Sequence, residues 1–140
     1  MPGTETSIVI QASPKTVFDV ITDFEKYPEF LSDVKDVVVH KKGKEMEVTF
    51  EISVIKKIRY KLHFSLVPNK KVSWTFVEGD VFKDNNGFWE LEEVKKGTTN
   101  ARYYIDIEFG FLVPSMITKK LIGSNLPSMM KRFKERAESL

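Results

Sequence analysis

Residues 45 to 66 constrain the fold more than any other stretch. From Glu45 to Val54 the side chains alternate: Met46, Val48, Phe50, Ile52 and Val54 fall on one side, Glu45, Glu47, Thr49, Glu51 and Ser53 on the other. Ile58 to Leu66 repeats the pattern, with Ile58, Tyr60, Leu62, Phe64 and Leu66 against Lys57, Arg59, Lys61, His63 and Ser65. A period of two belongs to a half-buried strand. Two such strands with a short connection predict an antiparallel hairpin with one dry face and one wet face. On the wet face carboxylates oppose cations, and each cross-strand pair is worth at most about 1 kcal/mol. Glu45, Glu47, Glu51, Lys57, Arg59 and Lys61 therefore read as a solvated, salt-bridged surface and not as an active site.

A dry sheet face needs a cover, and Pro114 to Leu140 supplies it. Ile122, Leu126, Met129, Met130, Phe133 and Ala137 recur at helical spacing. Pro114 suits the start of a helix. Lys131, Arg132, Lys134 and Arg136 crowd the final turns, where the helix dipole favours positive charge. Pro127 falls inside the pattern, four residues after Gly123, and predicts a kink between them. Ile117 and Leu121 lie off the main stripe, so the first turns face a second surface or are partly exposed.

The remaining segments fill in between. Ser7–Gln11 reads as a short strand; Ser13 and Pro14 cap and open a short helix that buries Val17, Phe18, Val20 and Ile21 and ends near Asp23. A second short helix or turn begins at Tyr27-Pro28. Val34–His40 is a strand. Val72, Trp74 and Phe76 share a face of the next; Asp84-Asn85-Asn86-Gly87 leads as a turn into a strand carrying Trp89 and Leu91; Ala101–Phe109 is the last, carrying Tyr103, Ile105, Ile107 and Phe109. The expected class is α+β: a curved antiparallel sheet of about seven strands, two short helices after the first strand, and one long C-terminal helix, in a single domain spanning residues 1–140.

Several functions are disfavoured. The net charge of +2 is too small to point to nucleic acid. There is no Cys, and His40 and His63 lie on different strands, so no metal-ligand spacing exists and no cofactor is expected. Gly79, Gly87 and Gly97 are turn glycines and form no phosphate loop. Neither a signal pattern nor a membrane-length apolar run is present, and cytoplasmic localisation is expected. Eleven Phe, four Tyr and two Trp in 140 residues supply a great deal of ring surface. Phe50, Ile52, Tyr60, Leu62, Phe64, Trp74, Phe76, Trp89, Tyr103 and Ile105 all share the dry side. The residues alone leave open whether these rings interdigitate or leave a cavity beneath the helix.

The stretch Ile8 to Phe30 holds a strand, an Ala12-Ser13-Pro14 entry to a helix, an aspartate, and Tyr27-Pro28-Glu29-Phe30. It resembles the opening of the START-like, or polyketide cyclase/dehydrase, superfamily, and within it the coenzyme Q-binding START-type branch. Trp74-Thr75-Phe76-Val77-Glu78-Gly79, Gly87-Phe88-Trp89-Glu90-Leu91, Gly97-Thr98-Thr99 and Val113-Pro114 extend the likeness over nearly the whole chain. The resemblance implies a helix-grip fold with an internal ligand cavity. It implies binding, transport or presentation of a lipid, quinone or similar hydrophobic molecule, with Phe50, Ile52, Tyr60, Leu62, Phe64, Trp74, Phe76, Trp89, Tyr103, Ile105, Ile122, Leu126 and Met130 as the ligand-binding set.

Two other functions compete. One is a small cyclase or dehydratase working through tyrosine-assisted acid–base chemistry. The strand register argues against it, because Arg59, Arg102, Asp106 and Glu108 should face water, leaving only the Tyr60 and Tyr103 hydroxyls and the indoles of Trp74 and Trp89 in the cavity; no catalytic residue is assigned. The other is an interaction protein of the ribosome-associated or toxin–antitoxin type, using the basic helix end. Finally, Leu112, Met116 and Ile117, followed by Lys119 and Lys120, fit a portal rim touching a membrane surface, although burial of this apolar run in the core is the simpler expectation. Oligomeric state is not readable from these features.

Overall fold

The computed structural model describes residues 3–110 and 113–140. Seven strands form one sheet: β1 (Thr4–Ile10), β2 (Val34–Lys41), β3 (Glu45–Val54), β4 (Lys56–Val67), β5 (Lys71–Gly79), β6 (Phe82–Lys95) and β7 (Thr98–Phe109). The order is β1-β7-β6-β5-β4-β3-β2, and all neighbours are antiparallel. From β2 to β7 the chain meanders. The exception is the step from β1 to β2, which lie at opposite edges. Two short helices, α1 (Pro14–Thr22) and α2 (Tyr27–Phe30), carry the chain across, with a 3₁₀ turn at Phe24–Lys26 between them. Ser13 caps α1 as expected: its hydroxyl accepts from Thr16 N–H at 3.2 Å.

The β3–β4 hairpin has the expected register. Met46 opposes Phe64, Val48 opposes Leu62, Phe50 opposes Tyr60 and Ile52 opposes Ile58. Outside, Lys61 meets Glu47 at 3.4 Å, and His63 meets Glu45 at 3.3 Å. The connection turns on Ile55, whose φ of 70° is left-handed although its side chain is 56% exposed. A β-branched residue is strained there by roughly 1–2 kcal/mol. Ile55→Asn is therefore expected to stabilise the fold by about 1 kcal/mol, read as a higher urea midpoint with an unchanged slope.

The sequence pattern and the structure part company at β6. Asp84-Asn85-Asn86-Gly87 is not a turn; these residues pair with Glu108, Ile107, Asp106 and Ile105 of β7. Tertiary pairing overrides the local turn chemistry. On its other side β6 pairs with β5 only from Lys71 to Trp74, so the two strands separate beyond Trp74 and Gly87.

The C-terminal cover is α3 (Ser115–Lys120), a π-helical turn (Leu121–Asn125) and α4 (Leu126–Glu138). The deformation falls where Gly123 and Pro127 predict it. The wider turn spares the Pro127 ring a clash with the carbonyl of an ideal α-turn, with Pro127 taking the second position of α4. The extra residue in that turn also changes the rotation of the preceding helix. Ile117, which the sequence allows at a portal rim or in the core, is buried with Ile52, Val54, Ile58 and Phe82 in a small second core, which corrects the rim reading at this residue. The other end of α4 is tied down. Lys134 Nζ donates to the Val9 carbonyl at 2.6 Å, Arg136 meets Glu29 at 2.7 Å, and Glu138 accepts from Gln11 N–H at 2.8 Å. Lys134 and Arg136, two of the four cations considered for partner binding, are thus engaged within the fold.

The main core lies between sheet, α1 and α4, with Phe24 near its centre. Among the described residues, no helix is long and apolar enough to cross a membrane.

Candidate functional site

The aromatic side chains of the inner face do not fill the space beneath the helix. A cavity of two lobes runs between the sheet, α2 and the C-terminal helices. The lobes share Leu31, Val34, Tyr60, Asn85, Tyr103, Ile105 and Met129, which form a waist between them. The inner lobe, about 110 Å³, is walled mainly by rings: Tyr27, Phe50, Phe64, Trp74, Trp89 and Phe133. Most pack edge-on or tilted, with Trp89 and Tyr103 centroids 4.7 Å apart and Trp74 and Tyr103 centroids 5.5 Å apart, while Tyr27 stacks on Phe50 at 6.0 Å. The outer lobe, about 150 Å³, is largely aliphatic, with Ile52, Val54, Ile107, Leu121, Ile122 and Leu126 among its walls. It reaches the surface between the α2–β2 junction and the helix, where Ser32, Ser128 and Arg132 are exposed. The inner lobe is lined only by buried or half-buried residues.

Most of the expected ligand-binding set reaches this cavity. Phe50, Leu62, Phe64, Trp74 and Trp89 line the inner lobe, Ile52, Ile122 and Leu126 the outer, and Tyr60, Tyr103 and Ile105 both. Two do not. Phe76 lies past the point where β5 leaves β6, and packs half-buried between the two cores. Met130 is buried in the main core; its neighbour Met129, one helical step round, holds the cavity wall instead. Of the portal set, Met116 is 66% exposed, Lys119 and Lys120 are exposed, Ile117 is buried, and Leu112 lies outside the described residues.

The polar groups differ from expectation in a useful way. Sequence reasoning left only tyrosine hydroxyls and indole N–H groups inside. The structure adds Asn85, 4% exposed, whose Oδ1 accepts from Trp74 Nε1 at 3.1 Å. Its signal was present: Asn85 has the same parity as Gly87, Trp89 and Leu91, and alternation carried two residues further back puts it on the inner face. A carboxylate is also present, because Asp33 lines the outer lobe and accepts from Asn125 Nδ2 across the mouth. Arg132 lines the same mouth. As expected, Arg102 is outside, held by Glu90 and by Glu5 at 2.7 Å.

Neither the Tyr60 nor the Tyr103 hydroxyl has a hydrogen-bond partner among the described residues. Burial pushes both phenols far up from their ordinary value near 10, and Tyr103 is raised further by Tyr60. Tyr27 is likewise raised, first by burial and then by Tyr103, Tyr60 and Asp23; its hydroxyl donates to the Ile21 carbonyl at 2.5 Å. These groups are neutral donors near pH 7. The sign of the linkage follows. Below about pH 10 the phenols keep their protons in both folded and unfolded chains, and their contribution is constant. As pH rises further the unfolded chain releases protons that the core retains, so stability falls. In alkaline titration the phenolate absorbance of these three tyrosines should appear together with loss of the folded circular-dichroism signal, not before it.

Among the described residues, no group of three or more His, Asp or Glu is arranged so that it could hold a metal ion. What the arrangement offers is an apolar, two-lobed space with neutral hydrogen-bonding groups at its waist.

Comparison with known proteins agrees with this geometry. Residues 10–134 match the model of the family described as polyketide cyclase / dehydrase and lipid transport. A START superfamily protein from Mycobacterium smegmatis superposes with a TM-score of 0.86 at 18% identity, covering 99% of each chain. The Zhui aromatase/cyclase from Streptomyces sp. R1128 gives 0.87 at 12% identity, over 97% of this chain and 93% of that one. A STAR-related lipid transfer protein from Xanthomonas axonopodis gives 0.77 at 16%, over 95% and 84%. At such identities the likeness is one of fold, and the fold is the helix grip: a curved antiparallel sheet closed by a C-terminal helix. With the family model running from the end of strand β1 into helix α4, the chain belongs to the polyketide cyclase/dehydrase and lipid transport family.

Proposed function

We propose that this chain is a single ligand-binding domain that holds a hydrophobic small molecule, a lipid or a quinone-like compound, in the two-lobed cavity and does not transform it. The observation that carries this reading is the pair of unpartnered hydroxyls, Tyr60 and Tyr103, on the wall of a largely apolar cavity between sheet and helix whose charged groups, Asp33 and Arg132, line only the outer lobe. The two hydroxyls open into the cavity and are not sealed in protein, so a ligand offering an acceptor gains a hydrogen bond worth about 1 kcal/mol there. Apolar desolvation against Phe50, Phe64, Trp74 and Trp89 supplies the affinity, and the tyrosines orient a polar end. A volume of about 150 Å³ is what a benzene-sized ring needs; a larger ligand fits by spanning both lobes or by moving the helix at its π turn. Exposed Met116, with Lys119 and Lys120, would meet an anionic membrane surface during loading. A cytoplasmic setting suits a chain without cysteine.

The cyclase or dehydratase reading is weaker because the inner lobe is lined by no carboxylate, imidazole or amine among the described residues. Its phenols are too weakly acidic to act as bases near neutral pH. Tyr60→Phe with Tyr103→Phe separates the two. For a carrier the double variant loses about tenfold in affinity for the cargo extracted from the native protein, matching one or two hydrogen bonds. If the extract instead contains a compound that the wild type converts and the double variant does not, the chain is an enzyme.

A further inference from the structure

The geometry points to a neutral carbonyl oxygen as the group read at the waist of the cavity, with Asn85 as the residue that selects it. This rests on the ligand-binding reading above and adds the chemical class of the ligand's polar end.

The orientation of the Asn85 amide is dictated by its neighbour. An indole N–H only donates, so the atom 3.1 Å from Trp74 Nε1 is the amide oxygen. The NH₂ group must then point the other way. No described residue accepts from it, although Asn85 is 4% exposed and lines both lobes. Trp74 is itself held in place. It lies against Gly87, where a Cβ would come within 2.8 Å of Trp74 Cζ2. The amide is thus a fixed donor aimed into apolar space, with the unpartnered Tyr60 and Tyr103 hydroxyls beside it on the same waist.

The charge at this point decides what is bound. Asn85, Tyr60 and Tyr103 offer protons and no positive charge. An isolated anion brought to them would shed its water without gaining a counter-ion, a heavy cost in an apolar site. A hydrocarbon would leave the three donors unsatisfied. A ketone, quinone or ester oxygen satisfies them and costs little to desolvate. The nearest cation on the cavity wall is Arg132, at the exposed mouth, so a carboxylate would be drawn there and away from the waist.

The test uses three probes of one shape: acetophenone, α-methylstyrene and benzoate. Both tryptophans of the chain line the inner lobe, so their emission reports binding directly. Acetophenone is expected to bind about tenfold more tightly than α-methylstyrene, the value of one good hydrogen bond, with benzoate the weakest. The carbonyl stretch of bound acetophenone should move to lower frequency than in hexane. Asn85→Leu should abolish the preference of ketone over alkene; should that variant fail to fold, the carbonyl stretch in the wild-type protein decides alone. Equal binding of ketone and alkene with an unshifted stretch overturns the inference and leaves the cavity reading standing. Tightest binding by benzoate overturns it in favour of Arg132. Failure of all three probes to bind overturns the inference together with the reading it rests on.

Discussion

Phe24→Ala is expected to destabilise the protein by about 3–5 kcal/mol, as for other fully buried rings. Phe24 is 1% exposed and comes from the short 3₁₀ turn between α1 and α2. Its ring meets Phe64 at 4.4 Å between centroids, Tyr27 at 5.4 Å and Phe50 at 6.1 Å. These partners belong to a helix and two strands, so the one ring binds the crossover to the sheet. Its loss removes contact area and leaves a void that rigid neighbours cannot close. For a chain of this size each kcal/mol moves the melting temperature by about 3–5 °C, and the variant should melt at least 10 °C below the wild type. A fall of under about 1 kcal/mol in a urea titration would mean that the crossover is not packed as described.

Gly87→Ala should cost about 3 kcal/mol and should also damage the cavity. An added Cβ would run into the Tyr104 carbonyl oxygen, lie 3.0 Å from Ile105 Cα and 2.8 Å from Trp74 Cζ2. Two of these atoms are backbone of the paired strand and cannot swing aside. Either β6 parts from β7, or Trp74 moves and releases Asn85. Both outcomes expose an indole, so the variant's tryptophan emission should shift to longer wavelength in the native state. An unshifted spectrum with wild-type stability would show that Gly87 does not seat the indole.

Much of this fold is written in short-range pattern. The period of two from Glu45 to Leu66 fixes which face of β3 and β4 is dry, because a slip of one would bury Glu47 and expose Phe50. Gly123 and Pro127 mark the π turn, because proline cannot donate in a regular helix. The features that were not legible depend on what lies opposite. Asp84 to Gly87 has turn chemistry, and only pairing with β7 makes it a strand and turns Asn85 inward. Phe76 continues its strand's alternation perfectly, yet β5 has by then left β6, and its ring packs half-buried between the two cores. Met130 and Met129 exchange roles through one step of helical rotation. Ile117 and Leu121, by contrast, lie off the main helical stripe, and that offset is the legible sign of the second core on which they pack. Asp33 belongs to a junction with no period to read.

The central claim is that the space beneath the helix is a binding site and not a packing defect. The most direct measurement is a titration of wild-type protein and of Val34→Phe with acetophenone, followed by tryptophan emission. Val34 lines both lobes, and a phenyl ring there would occupy the waist between them. The wild type should show one saturable site. The variant should keep or slightly raise its melting temperature, since filling a cavity stabilises, and should lose at least tenfold in affinity. Equal affinity in both proteins, or no saturable change in either, would contradict the account.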